Sequence, residues 1–413
     1  MDIQIGRRHL RLAIHKSKRF IEFLTCGLLD AYALAGVKEG PSCKEDRIAI
    51  VQLKLLGDYI LWLPFALSLV DHFDRENKVV VLIGNKAWAD LAKLHFPNCV
   101  FVGIDRDRFI RDWPSRRETL RTLRSLNVTA CYVPSHPRDC LVEDAVVRAL
   151  HAPALGFKEV FPDRPWIDDV WNRRRYSRLI RSGPSKHVQD EHGIFLNEVG
   201  AKVRCGSSAV SSLLSTGEPT SESYFVVAPG ASRGHKQWPI DRFVEVAKRM
   251  SRAYPRWRCV VVGTQAERAT SQRLVVELGS KTENLAGETS LVDLIDIVAK
   301  SRFVLGNDSA VVHIAAACRV PSVLVVGGGH YGRFFPYPND LNKSITRPVS
   351  VANPMRCFGC DWICRYRTPS GKCFPCVDNV TIDMVWLAVK QVLDSDGVLG
   401  VPRTAMNTTS SDV

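Results

Sequence analysis

At 413 residues the chain exceeds what one hydrophobic core usually serves, so about two domains are expected. With 46% hydrophobic and 24% charged residues and no eighteen-residue apolar run, it has a globular composition, which excludes a membrane-spanning helix. A formal charge of +13 points to acidic partners such as nucleic acid, anionic lipid or phosphorylated substrates, without choosing among them.

Residues 1–44 interleave Leu10, Leu12, Ile14, Phe20, Ile21, Leu24 and Leu28 with Arg7, Arg8, Arg11, Lys16, Lys18 and Arg19. The cations interrupt any secretory h-region, and without an export signal the thirteen cysteines fit a reducing cytoplasm. Such a basic amphipathic stretch either lies on an anionic membrane surface or packs as a solvated helix on the first domain. Short buried strands are then expected over 47–53, 79–83, 100–104 and 128–133, alternating with helices near 58–71, 86–95, 114–125 and 141–151. The rhythm stops at 207–223, where seven serines, two threonines, Gly217 and Pro219 predict a linker between a domain over 45–206 and another over 224–399. Strands over 224–228, 259–262, 303–305 and 323–326 follow, with helices at 240–252, 265–278, 291–300, 309–318 and 382–393. Ser290 and Asp293 form a capping signature, and residues 400–413 are expected to be disordered. The alternation predicts α/β architecture: two doubly wound, Rossmann-like parallel sheets facing a ligand cleft at the carboxyl ends of their strands.

Three strand ends carry chemistry. After strand 303–305, Gly306-Asn-Asp-Ser-Ala-Val-Val-His313 enters an alanine-rich helix. A helix start presents free N–H groups and positive dipole charge, the arrangement that holds phosphates. Ser309 and His313 are spaced to share a helical face, although Asp308 or Ser309 serving only as an N-cap explains the same residues. After strand 224–228, the small residues of the 229–239 loop admit close backbone approach, and Lys236 supplies a compact cation or is merely solvated. After strand 47–53, Asp58 falls where a helix N-cap belongs; facing a cleft, it is equally placed as a general base.

Four segments in order carry a resemblance: 47–67 (R-I-A-I-V-Q-L-K-L-L-G-D-Y-I-L-W-L-P-F-A-L), 229–243 (P-G-A-S-R-G-H-K-Q-W-P-I-D-R-F), 284–294 (N-L-A-G-E-T-S-L-V-D-L) and 306–317. Together they resemble glycosyltransferase family 9, the lipopolysaccharide heptosyltransferases, over about residues 45–393. The resemblance implies a GT-B fold, with an acceptor-binding first domain and a nucleotide-sugar-binding second domain. It implies inverting transfer of a sugar, a heptose from an ADP-linked donor, to a lipopolysaccharide core. Asp58 then matches the proposed base, Lys236 the diphosphate-holding lysine, and Asp308, Ser309, Ala310, Val311 and His313 the donor-contacting helix start. Glu267 lies near a donor-binding acidic position. No metal cofactor is required, since Lys236 and the helix dipole supply positive charge to the leaving diphosphate.

Two departures bear on the donor: the family usually has glycine where Ala310 stands, and F-G-P-T where this chain has Gly327-Gly-Gly-His-Tyr-Gly332. That loop also spells G-x-G-x-x-G, but no helix is expected after it and no acid stands about twenty residues on, so a dinucleotide site is rejected. The Asp105–Asp107 and Asp394–Asp396 strings are misplaced for a donor metal. Cys357, Cys360, Cys373 and Cys376 form two C-x2-C pairs able to hold structural zinc, with Cys364 left over; reduced packed thiols or a disulfide are the alternatives. The expected activity is a cytoplasmic, peripherally membrane-associated glycosyltransferase acting on a lipid-linked or lipopolysaccharide acceptor. A sugar-nucleotide epimerase of the same fold and a non-catalytic glycan or nucleotide binder are the rivals, and nucleic acid is disfavoured for want of a basic–aromatic motif.

Overall fold

The computed structural model describes residues 21–22, 24–37, 45–158, 175–182, 187–202, 223–338, 346–366, 368–369 and 371–395. The chain divides into two compact units, 1–206 and 207–413, each with its own sheet and hydrophobic core. The predicted linker falls almost wholly outside the described residues, as does the tail 400–413.

In the first unit, β1 (Arg47–Gln52), β2 (Val79–Asn85), β3 (Val100–Ile104), β4 (Ala130–Val133), β5 (Ala154–Phe157) and β6 (Tyr176–Ile180) form one parallel sheet ordered β3-β2-β1-β4-β5-β6. Ile48, Ala49, Ile50 and Val51 are all fully buried, as a strand covered on both faces requires. The chain winds outward in opposite directions from β1 and β4, so the topological switch point lies between them.

The second unit repeats the plan with β7 (Tyr224–Ala228), β8 (Arg258–Val261), β9 (Thr282–Asn284), β10 (Phe303–Asn307), β11 (Ser322–Val325) and β12 (Val349–Val351), ordered β12-β11-β10-β7-β8-β9. Its switch point lies between β7 and β10. The Ile240–Ala253 helix buries Phe243, Val246, Ala247 and Met250 in the core of this unit. The predicted capping box at Ser290 is present: its hydroxyl accepts from the Asp293 N–H at 3.1 Å, while the Asp293 carboxylate accepts from the Ser290 N–H.

Residues 24–34 form a helix that is held by a buried ion pair. The Asp30 carboxylate accepts from Arg116 at 2.6 and 2.8 Å and from Arg148 at 3.0 Å. Of the two readings of the basic N-terminal stretch, packing on the first unit holds for this helix, while Ile21, Leu24, Leu28 and Tyr32 remain exposed. Among the described residues no helix is long and apolar enough to cross a membrane.

Candidate functional site

The second switch point is assembled by Asn307, the last residue of β10. Its side-chain carbonyl accepts from the Trp238 N–H at 3.1 Å, and its amide donates to the Pro229 carbonyl at 2.7 Å. The buried Trp238 indole N–H donates to the Val380 carbonyl at 2.8 Å, fixing the far end of the 229–239 loop. This pinning brings Lys236 to Asp308, Nζ to Oδ2, at 3.4 Å. Ser309 occupies the N-cap of the Ala310–Ala317 helix in extended backbone, yet its side chain makes no capping bond. Its buried Oγ has no partner among the described residues. Side-chain capping, the plain reading of this segment, is therefore not what Ser309 does, and the helix begins two residues after Asp308, the partner of Lys236.

His313 lies one turn into the helix. It is buried within the unit, where its Nδ1 and the Tyr337 hydroxyl share a 2.8 Å hydrogen bond. Its ring stacks on Phe335 at 4.4 Å. It thereby anchors the helix start to the 335–337 segment. Val311 is buried and Ala310 half-buried at the first helical position.

Pro239 is the N-cap of the following helix, Ile240–Ala253. Glu267 closes a capping box on Thr264, accepting from its N–H at 2.8 Å and its hydroxyl at 2.9 Å. A Cβ at Gly230 would stand 2.1 Å from Glu267 Oε1, so glycine there lets the carboxylate lie against the 229–239 loop. Glu267, Gly230, Ser232, Thr264 and Pro369 help line a cavity of about 1150 Å³. Lys236, Asp308 and His313 do not line it, so the chemistry of the helix start and this cavity along the loop are not identical.

In the first unit, Asp58 is half-buried as the third residue of the Leu56–Arg75 helix, whose N-cap is Leu55. The N-cap expectation is corrected: Asp58 lies one turn inside, where the helix start still favours a carboxylate. Across the first switch point, Lys54 Nζ lies 3.4 Å from the fully buried Glu143 Oε1, and Glu143 Oε2 accepts from the Asp139 N–H at 2.9 Å. Nothing in the sequence singles out Lys54 or Glu143, because lone charges at strand ends are usually solvated.

The glycines after β11 receive aromatic rings. A Cβ at Gly327 or Gly329 would stand 2.7 or 2.2 Å from the Trp362 indole, and one at Gly328 would stand 2.3 Å from Phe358. Among the described residues directly after the loop, 333–338, there is no helix. The rings arrive on the cysteine-bearing segment, joined by Gly359 N–H to Gly328 carbonyl at 2.7 Å and Asp361 N–H to Gly329 carbonyl at 3.0 Å. The five cysteines are free thiols, and among the described residues no three metal-ligating side chains gather in a metal-holding cluster. Burial pushes the Cys376 thiol up, and nearby Cys360, Cys364 and Cys357 push it further. Burial likewise pushes the Cys373 thiol up, Asp378 beside it adds to the rise, and Cys373 lines the cavity. Asp105 is accounted for as the cap of the Arg106–Arg111 helix, accepting from the Arg108 N–H at 3.0 Å.

Two six-stranded parallel sheets, each doubly wound with charged loops at its switch point, define the GT-B fold class. Within that class, residues 201–355 match the model of glycosyltransferase family 9 (heptosyltransferase), a span that contains Lys236, Glu267 and 308–313 but not Asp58. Lipopolysaccharide heptosyltransferase 2 of Salmonella typhimurium is 31% identical over 104 residues, 24% of this chain and 29% of that protein. The chain thus matches less than a third of the length of that curated relative. Heptosyltransferase WaaC of E. coli, in complex with ADP-2-deoxy-2-fluoro heptose, shares the fold with a TM-score of 0.60 at 18% identity, covering 85% of this chain and 99% of that one. A family 9 glycosyltransferase from Veillonella parvula gives 0.61 at 16% identity over 86% and 100% of the two chains. The family model thus takes in three of the four motif segments, 229–243, 284–294 and 306–317, and the solved structures share the fold.

Proposed function

We propose that the protein is an inverting glycosyltransferase that moves a sugar, a heptose by its resemblance, from a nucleoside-diphosphate donor to a lipopolysaccharide core or related surface glycan. One observation carries the reading: Lys236, Asp308 and the uncapped start of the Ala310–Ala317 helix meet at the second switch point, where a diphosphate finds a cation and free N–H groups together. The second unit supplies the donor groups and the first supplies the base. Asp58 takes the proton of the acceptor hydroxyl as that oxygen bonds the anomeric carbon. The bond from that carbon to the diphosphate oxygen breaks on the opposite face, and the configuration inverts. Negative charge gathering on the departing diphosphate is met by Lys236 and the helix dipole, so this step calls for no metal. Glu267, in the turn after β8 with its carboxylate against the 229–239 loop, serves the nucleoside end of the donor. A lipid-linked acceptor and the basic first residues support a peripheral position at the cytoplasmic face of a membrane.

Asp58→Ala tests the assignment. Donor binding, read as a nucleotide-dependent rise in melting temperature, is expected to persist while transfer from ADP-heptose falls by about 10²-fold or more. Transfer at the wild-type rate would refute Asp58 as base. Absence of a melting shift with any of ADP, GDP, UDP or dTDP would refute the donor site itself.

A further inference from the structure

The donor-site reading uses residues within the family-matched span, but Lys236 has a second partner beyond it. Its Nζ sits over the Trp362 ring, 4.6 Å from the centroid. Trp362 is 8% exposed and lies against the backbone of Gly327 and Gly329, which are free of Cβ atoms where the indole passes. Asp361 and Trp362 are consecutive non-glycine residues in left-handed backbone, with φ of 54° and 61°. That conformation is disfavoured for each and persists only where surrounding contacts impose it, a pattern concentrated at ligand sites. The contacts are the Asp361 N–H bond to Gly329 and a 2.8 Å bond between His330 Nε2 and Asp361 Oδ1.

The neighbourhood also carries an excess of unsatisfied polarity. His235 Nε2, Ser309 Oγ, His330 Nδ1 and Trp362 Nε1 are buried and have no partner among the described residues. His235 adjoins Lys236 and its ring lies 5.4 Å from Trp362; the His330 ring lies 6.0 Å from Trp362; Ser309 adjoins Asp308. Orphaned buried polar atoms are rare in native proteins, and several in one place mark where a polar ligand completes them.

We infer that Trp362, delivered by the cysteine-bearing segment onto the Gly327–Gly329 loop, is a positioning residue of the donor site that holds the Lys236 ammonium toward the diphosphate. This rests on the reading that Lys236 binds that diphosphate. The physical argument is one of competition. Asp308 alone would draw Lys236 into a neutralising ion pair, whereas an aromatic face attracts the ammonium without contributing a net negative charge. The cation then stays oriented and available to an incoming anion.

The test measures affinity for whichever of ADP, GDP, UDP or dTDP gives the largest melting shift, in Trp362→Phe, Trp362→Leu, Lys236→Ala and the double variant Trp362→Leu/Lys236→Ala. The expected result is about a tenfold loss for Trp362→Leu, substantial retention in Trp362→Phe, and no further loss from Trp362→Leu once Lys236 is absent. Equal losses in the Phe and Leu variants, or additive losses in the double variant, would overturn the inference. Unchanged affinity in Lys236→Ala would instead overturn the donor-site reading beneath it. If the leucine variant does not fold, a ring-fluorinated tryptophan at position 362 keeps the shape and weakens the ring face. Reduced affinity then supports the inference, and unchanged affinity defeats it.

Discussion

Gly329 shows how a single residue can mislead when read by motif. In the sequence it completes a glycine pattern associated with nucleotide binding, while in the fold it is glycine because an indole lies 2.2 Å from where its Cβ would be. Gly329→Ala is therefore expected to lower stability by about 1–3 kcal/mol through overpacking against Trp362, visible as a fall in melting temperature. A neutral substitution would mean that the indole moves aside without cost. Lys236 and Asp308 were legible as charges at strand ends, but their 3.4 Å pairing was not, because it joins residues 72 positions apart through the side-by-side strands β7 and β10. Asp58 was legible as a helix-start carboxylate but placed one turn too early. Nothing in its local sequence reveals that Leu55, lacking a side-chain acceptor, takes the cap.

At the level of elements, the strands that carry the candidate site were readable because they are continuous apolar runs covered on both faces: β1, β7, β10 and β11. The ones missed are edge or next-to-edge strands. β9 is Thr-Glu-Asn, and β6 exposes Ser177 and Arg178, so neither offers an apolar run to detect. Asn307 is the connection between elements that matters most, since one amide ties β10 to both ends of the 229–239 loop. Asn307→Ala leaves the Trp238 N–H and the Pro229 carbonyl without that partner inside the unit. The expected cost is about 1–3 kcal/mol of stability together with weaker nucleotide binding, read by melting with and without nucleotide. Retained affinity despite the lost bonds would show that the loop is held by other contacts.

Over the whole chain, the division into two sheet-bearing halves was visible as a break in rhythm, and the basic N-terminal stretch as an amphipathic pattern. What the pattern could not reveal is that this stretch has two parts. Residues 24–34 carry Asp30 into a buried cluster with Arg116 and Arg148, whereas the six basic residues all precede position 20. Removing residues 1–20 is expected to leave the melting temperature near wild type and to weaken sedimentation with anionic vesicles. Removing residues 1–37 strips Asp30 from two buried arginines, with an expected loss of about 3–5 kcal/mol. Undiminished vesicle binding by the shorter truncation would defeat a membrane role for the basic segment.

The covering of Gly327–Gly329 by rings from 358 and 362 has a consequence for altering the molecule. The segment that brings them leaves the sheet after β12 and rejoins it before the Ile382–Ser395 helix, so it behaves as a cassette mounted on a glycine socket. Transplanting residues 355–376 between related chains demands that the socket travel with the cassette, since a loop bearing side chains has no room for the rings. Exchanged together, they offer a route to remodel one wall of the site without recutting the strands on which Lys236 and Asp308 stand.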